Sequence, residues 1–363
     1  MERNDTIDYI KFFAIFFVVC IHTFPFSTYH FAGIDGEKIN FVINVFARFG
    51  VPYFFVISGY LLGQKLKNTN QKPDYIRKYL LKTTKLLVVW SLFFFLYDVI
   101  MIALKSFLQG LNIRLEIGSY LDSVFQITNL YYGNNNGTSY HLWYLAALIW
   151  SIIILSFFIK IGRINILLLG SFILHLTGLF GQSYSTFLKI SFDTRDALFF
   201  GLFYVTFGYY LSINFNKMRL KGKSNLLLIL LLVFCLLQIL EGELLVSNLT
   251  GVWGNYYFFT ILTTITLMLF VLTNPKKRHS FINKVGANSV GIYVIHPLLI
   301  SLSYIAVNIL QLKSITHTLI WNLLFTPIIF ILSYYIYQIL QVIKLKMKKF
   351  LRFKKAKKEQ LLQ

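Results

Sequence analysis

Three ionisable residues interrupt apolar stretches near the N-terminus: Lys11 and His22 in "DYIKFFAIFFVVCIHTFPF", and Arg48 in "FVINVFARFGVPYFFVISGYLLG". A histidine, with an unperturbed pKa of about 6.5, can act as a general base or as a nucleophile that carries a transferred group. A guanidinium stays charged and can hold a carboxylate or stabilise a developing oxyanion. On a helix, eleven residues are three turns plus about 20°, so Lys11 and His22 share a face about 16 Å apart, too far to touch. Asp8 stands three residues before Lys11, within reach of a pair. A charge in hydrocarbon costs at least about 2.5 kcal/mol unless it faces a partner or a cavity. The spacing therefore predicts a polar cavity with Lys11 at its cytoplasmic mouth and His22 deeper, toward the outer side. Two blander readings stand beside this one: His22 as a packing histidine between helices, and Arg48 as half of a buried ion pair with Asp98.

The elements that must position these residues follow from composition. The chain has 363 residues, 56% hydrophobic, 18% aromatic and only 13% charged, with a mean hydropathy of +0.64. That is too apolar for a soluble domain. A membrane helix needs about 20 apolar residues, and ten such stretches run roughly Ile7 to Phe26, Phe41 to Gly63, Leu86 to Leu104, Leu142 to Ile159, Ile164 to Phe180, Ala197 to Ile213, Leu226 to Leu240 (short), Tyr256 to Thr273, Ser289 to Val307 and Leu319 to Ile343. The runs are continuous rather than alternating, which argues for an all-α polytopic membrane protein and against a transmembrane barrel. The first stretch is long, contains Lys11 and lacks a small-residue cleavage pattern, so it reads as a retained helix rather than a signal peptide.

Lysine and arginine set the orientation. With both termini cytoplasmic, the inner loops receive the groups from Lys65 to Lys85, Lys160 with Arg163, Lys217 to Lys223 and Lys276 to Lys284, and the basic tail from Lys344 to Lys358. The outer loops receive few cations, among them Arg114 and Arg195, as the positive-inside rule expects. The formal charge of +21 is then topology plus contact with anionic membrane lipids, and nucleic acid is excluded as a partner. The division expected is residues 1–343 as a membrane domain and 344–363 as a basic cytoplasmic tail, amphipathic or disordered. The outer loop from Lys105 to Tyr140 ends in the turn-forming "GNNNGTSYH", where a large ligand could be met. Cys20 and Cys235 fall inside spans and read as packed thiols, and no metal site is expected.

Four segments, "IDYIKFFAIFFVVCIHT", "FGVPYFFVISGYLL", "YHLWYLAALI" and "GIYVIHPLLI", fall in order on the first, second, fourth and ninth spans. Together they resemble the integral membrane acyltransferase 3 family, most closely its surface polysaccharide O-acyltransferase branch, from about Thr6 to Ile343. The resemblance implies transfer of an acyl group, usually acetyl, from cytoplasmic acyl-CoA to a hydroxyl of an extracytoplasmic or lipid-linked glycan in a bacterial plasma membrane. Acyl-CoA is then a donor substrate and not a resident cofactor, and polysaccharide-biosynthesis proteins are the expected partners. The family's pattern of a basic residue, a ten-residue gap and a histidine falls on Lys11 and His22, the histidine catalytic and the basic residue required. Arg48 is the candidate for the oxyanion or for orienting the site.

The family's Arg-x-x-Arg element has no literal match here; Tyr79 and Lys82 fall at its place, and Arg77, Lys78, Lys82 and Lys85 keep a cationic surface for the donor's phosphates. His141, Trp143, Tyr144 and Arg195 at the outer ends of the fourth and sixth spans, with His296 before Pro297, are the candidate acceptor contacts. Aromatic belts would by themselves put Trp143 and Tyr144 there, and a kink with packing would account for His296. A transporter or flippase of glycan intermediates is the alternative; no inverted repeat or pair of broken half-helices favours it.

Overall fold

The computed structural model describes residues 4–31, 33–132, 137–220, 222–249, 253–275 and 280–360. Its helices run in the order α1 Asp5–Thr23, α2 Gly36–Ala47, α3 Gly50–Lys67, α4 Lys72–Gln109, α5 Ile113–Val124, α6 Asn129–Tyr132, α7 Trp143–Lys160, α8 Ile164–Gly178, α9 Leu202–Asn214, α10 Ser224–Glu243, α11 Phe258–Thr273, α12 Phe281–Ala287, α13 Ser289–Ile309 and α14 Leu319–Gln360. A two-residue antiparallel hairpin, β1 His30–Phe31 with β2 Ile34–Asp35, joins α1 to α2. Among the described residues, nine helical segments are long and apolar enough to cross a membrane, with α2 and α3 forming one of them. The 16-residue α11 is a tenth apolar helix. The chain is an all-α, multi-pass membrane protein.

Helix ends differ from the apolar runs for local reasons. The first span stops at Thr23, short of Phe26, because Phe24 adopts a left-handed conformation (φ 48°) and its N–H closes on the Cys20 carbonyl at 3.2 Å. Pro25 follows, as is usual just past such a cap. The second span is not one helix: it breaks at Arg48–Phe49. Pro52 has no N–H to return to the Arg48 carbonyl and is tolerated only in a first helical turn, so α3 must begin just before it. The seventh span is a full 20 residues, longer than its apolar core suggests. Its Glu241 is buried and accepts the N–H groups of Phe258 and Phe259 at 2.6 and 2.8 Å, capping α11 from a neighbouring helix. The outer loop is built as well, with α5 and α6 inside it; its residues 133–136 lie outside the described residues.

Two helices cross almost backbone to backbone at the centre. Gly59 and Gly63 of α3 face Gly208 and Ser212 of α9, and a Cβ at Gly59 or Gly208 would collide with the carbonyl of Val205 or Val56. Small residues four apart are what lets membrane helices approach this closely. Around the crossing lies the main core, with Tyr53, Phe55, Phe200 and Tyr204 fully buried. By contrast α4 buries only Phe94, Asp98 and Ser106 and stands at the periphery. Helix α14 is continuous from the last span into the basic tail as far as Gln360. Cys20 and Cys235 are free thiols, Cys20 buried.

Candidate functional site

The last turn of α1, the α2–α3 break and three outer connections converge on a cavity of about 340 Å³. Its polar lining is His22, Asn44, Arg48, Tyr140, Arg195 and Asn255, with Trp143 and Trp253 among its apolar walls. These elements lie at the end of the molecule that the charge distribution assigns to the outside. The α2–α3 break explains Arg48: at the end of α2 its guanidinium donates from Nη1 to Asn255 Oδ1 at 3.1 Å and from Nη2 to Asn44 Oδ1, leaving Nε without a partner. Arg195 comes from the connection before α9. Its guanidinium carbon sits 5.1 Å from the Trp143 ring centroid, Nη1 is 3.4 Å from the same Asn255 oxygen, and its Nε is also unpartnered. Burial pulls the Arg195 guanidinium below its usual range.

His22 forms another part of the lining. Its Nδ1 lies 3.1 Å from the Tyr140 hydroxyl. If Nδ1–H donates to that oxygen, Nε2 is the bare lone pair of the neutral ring. The His22 ring is 5.2 Å from that of His296, and the His296 ring is 5.6 Å from that of His141. His296 Nδ1 is 3.1 Å from the Ile292 carbonyl, which can only accept, so Nδ1 carries the proton and buried Nε2 is left without a partner. Neither ring nitrogen of buried His141 has a partner, while its backbone carbonyl accepts from the Tyr293 hydroxyl. Among the described residues, no group of three His, Cys, Asp or Glu could hold a metal ion.

The structure thus gathers His22, Arg48, Trp143 and Arg195 around one cavity, with His141 and His296 packed behind His22. Other candidates lie elsewhere. Lys11 does not line the cavity; its Nζ is 3.1 Å from Asp8 Oδ1 at the inner end of α1, where α12 presses against the Asp8 backbone through Gly286. Tyr144 points into the core, its ring 4.6 Å from Phe55 and its hydroxyl 3.4 Å from Ser58. Arg77, Lys78, Lys82 and Lys85 are exposed along the inner part of α4, within an arc of about 140° at 100° per residue. The Arg48 to Asp98 pair is absent: Asp98 accepts from the Thr138 hydroxyl at 2.6 Å, the Thr138 N–H at 3.1 Å and the Tyr120 hydroxyl at 3.0 Å. It ties the outer loop to α4 instead. Tyr140, Asn44 and Asn255 were not singled out from sequence. Tyr140 adjoins His141 in one of the quoted segments, but nothing in the sequence signals Asn255.

Beside that loop, Asp196 opens the turn before α9, accepting from the Phe199 N–H at 2.8 Å and the Tyr131 hydroxyl at 3.0 Å. Burial pushes its carboxyl up to about 6.

Fold and site define the class: a multi-pass helical membrane protein with a histidine and two arginines around one cavity. The profile of the acyltransferase 3 family, described as an acyltransferase domain, matches residues 4–338, and the chain belongs to that family. Among curated proteins, an amino-acid racemase of Enterococcus faecalis is 27% identical over 321 residues, 82% of this chain and 41% of that protein. A serine/alanine racemase of Enterococcus gallinarum is 26% identical over 317 residues, again 82% and 41%. The chain thus spans about two fifths of the length of these relatives. No solved structure matches.

Proposed function

We propose that this protein is a membrane O-acyltransferase that moves an acyl group, acetyl in the simplest case, from cytoplasmic acyl-CoA to a hydroxyl of a surface or lipid-linked glycan at the bacterial plasma membrane. The observation that carries the reading is the joint presence of His22, held by Tyr140, and Arg48 on one cavity within a chain of the acyltransferase 3 family. The donor's phosphates rest on Arg77, Lys78, Lys82 and Lys85, and its pantetheine arm reaches toward α1. His22 Nε2 takes the proton of the acceptor hydroxyl as that oxygen attacks the thioester carbonyl. Arg48 offers its guanidinium to the tetrahedral oxyanion. When the intermediate collapses, the carbon–sulfur bond breaks, the ester stays on the acceptor, and the thiolate leaves and takes a proton. With Nδ1–H donated to the Tyr140 hydroxyl, the neutral ring holds Nε2 free for the acceptor's proton, and the imidazolium then formed gives that proton to the thiolate.

The racemase names belong to relatives more than twice as long as the matched region, and the present reading takes no racemisation from them. The test compares the O-acyl content of surface glycans from cells carrying the wild-type protein, His22→Ala, or no gene. Loss of acyl groups with His22→Ala at normal protein level is expected. Equal acylation in all three strains would overturn the proposal, and loss of polymer export with acylation intact would point to a transporter.

A further inference from the structure

The cavity that His22 lines also holds the guanidinium groups of Arg48 and Arg195, both half-buried. Among the described residues, neither Arg48 nor Arg195 lies within ion-pair distance of a carboxylate. Their shared polar partner is one neutral oxygen, Asn255 Oδ1, and the Nε of each guanidinium is buried without an acceptor. Asp193 acts on Arg195 electrostatically from outside ion-pair distance, and a half-buried cation with no ion-pair partner is still costly. One transient oxyanion in the transition state would balance neither charge between turnovers and only one of them during it. Elsewhere the protein pairs or caps its buried charges, as Asp8 with Lys11 and Glu241 with the start of α11. The surplus is local to this cavity.

We propose that the cavity recognises an acidic acceptor: the molecule that presents its hydroxyl to His22 also carries an oxyanion, carboxylate or phosphate, which Arg48 and Arg195 clamp. Several observations shape this ligand. The two unpartnered Nε–H groups and the Nη donors suit a bidentate oxyanion. Trp253 lines the cavity and is exposed, giving a flat apolar wall for a sugar ring, while Arg195 lies over the Trp143 ring. About 340 Å³ admits one acidic monosaccharide unit or a molecule of that size. The donor's own phosphates are not this anion, because in the proposed function they rest on the α4 cations. The inference rests on the acyl-transfer reading for the hydroxyl's fate, but not for the anion.

The experiment uses the full chain in nanodiscs, with glucose, glucuronate and glucose 6-phosphate as neutral, carboxylate and phosphate probes. Binding is read from the fluorescence of the cavity tryptophans, and acyl transfer from acetyl-CoA is read separately. The wild type is expected to bind at least one of the two anions about tenfold to a hundredfold more tightly than glucose, the worth of a charge-assisted contact. Arg195→Gln is expected to erase most of that preference and Arg195→Lys to keep part of it. The comparison among probes on the wild type stands even if a variant misfolds. Equal binding of all three probes overturns the anion clamp. So does competition by phosphatidylglycerol that removes glucuronate and glucose 6-phosphate binding, since the clamp would then belong to a lipid headgroup. Selective anion binding without acyl transfer supports the clamp and counts against the enzyme, whereas acyl transfer with no preference for charge does the reverse.

Discussion

The two ends of α1 treat charge in opposite ways. At the inner end Lys11 meets Asp8 at 3.1 Å, the pair is mostly buried, and the helix is held by Asn283 donating to the Asp5 carbonyl at 2.8 Å and by the Gly286 contact. At the outer end His22 faces two arginines, neither of them in an ion pair among the described residues. A compensated charge fixes helices to one another, whereas an uncompensated one waits for a ligand. The inner end therefore positions α1 and the outer end is where the proposed chemistry takes place, although Lys11 and His22 lie on one face of one helix.

The largest effect expected at the outer end is that of His22→Ala, a fall of about 10³-fold in acyl transfer by the purified protein with thermal stability nearly unchanged. Tyr140→Phe removes only the hydrogen bond to His22 Nδ1 and should cost about tenfold, near 1.4 kcal/mol. A full-rate His22→Ala enzyme would remove the contrast between the two ends.

At the inner end the sign of the test is different. Lys11→Met leaves the Asp8 carboxylate without its ammonium partner and should destabilise the protein by about 2 kcal/mol, read as a lower midpoint of thermal unfolding in detergent. Adding Asp8→Asn should recover most of the loss, a coupling that a double-mutant cycle measures. If Lys11 serves only to hold α1, activity returns together with stability. Stability restored without activity would instead make Lys11 part of the donor path, which the cavity lining does not include.

The surface of α4 is a third case, charged and exposed. Replacing Arg77, Lys78, Lys82 and Lys85 together by Gln should raise the KM for acyl-CoA about tenfold at low salt, leaving kcat within about twofold and the unfolding midpoint in place. An unchanged KM would reduce these residues to topology signals.

What could be read in advance follows the same division. Apolar runs about 20 residues long need no tertiary context, and each of the ten stretches contains or overlaps an observed helix. His22 and Arg48 were visible because a polar group in such a run has few innocent explanations. The break at Arg48–Phe49 was written in Gly50 and Pro52, yet a continuous apolar run masked it. Tertiary partners were not visible: nothing near Glu241 in sequence announces the start of α11 that it caps, and Asp98 looked like a partner for Arg48 until the outer loop folded onto α4. Tyr144 at a helix start reads as an interfacial tyrosine, and only the neighbouring α3 and α13 turn it into a core residue.

The outer connections also contain an acid that behaves unlike both ends of α1. Asp196 is 2% exposed and has no ion-pair partner among the described residues, and burial pushes its carboxyl up to about 6 from an ordinary value near 4. Between those values the folded state binds a proton that the unfolded chain has released, so stability is highest below about pH 4 for this group and falls as pH rises through about 6. From about pH 5 to about pH 7 the loss should be close to 1 kcal/mol, read as a falling unfolding midpoint once the global trend is subtracted. Asp196→Asn keeps an oxygen acceptor for the Phe199 N–H and should flatten that slope, with its largest gain at the high end of the window. A slope unchanged by Asp196→Asn would mean that the Tyr131 hydroxyl and the Phe199 amide hold the carboxylate as well as water does. Asp196, one residue from Arg195, would then be a second counter-charge reservoir at the outer end, and the contrast between the two ends of α1 would narrow.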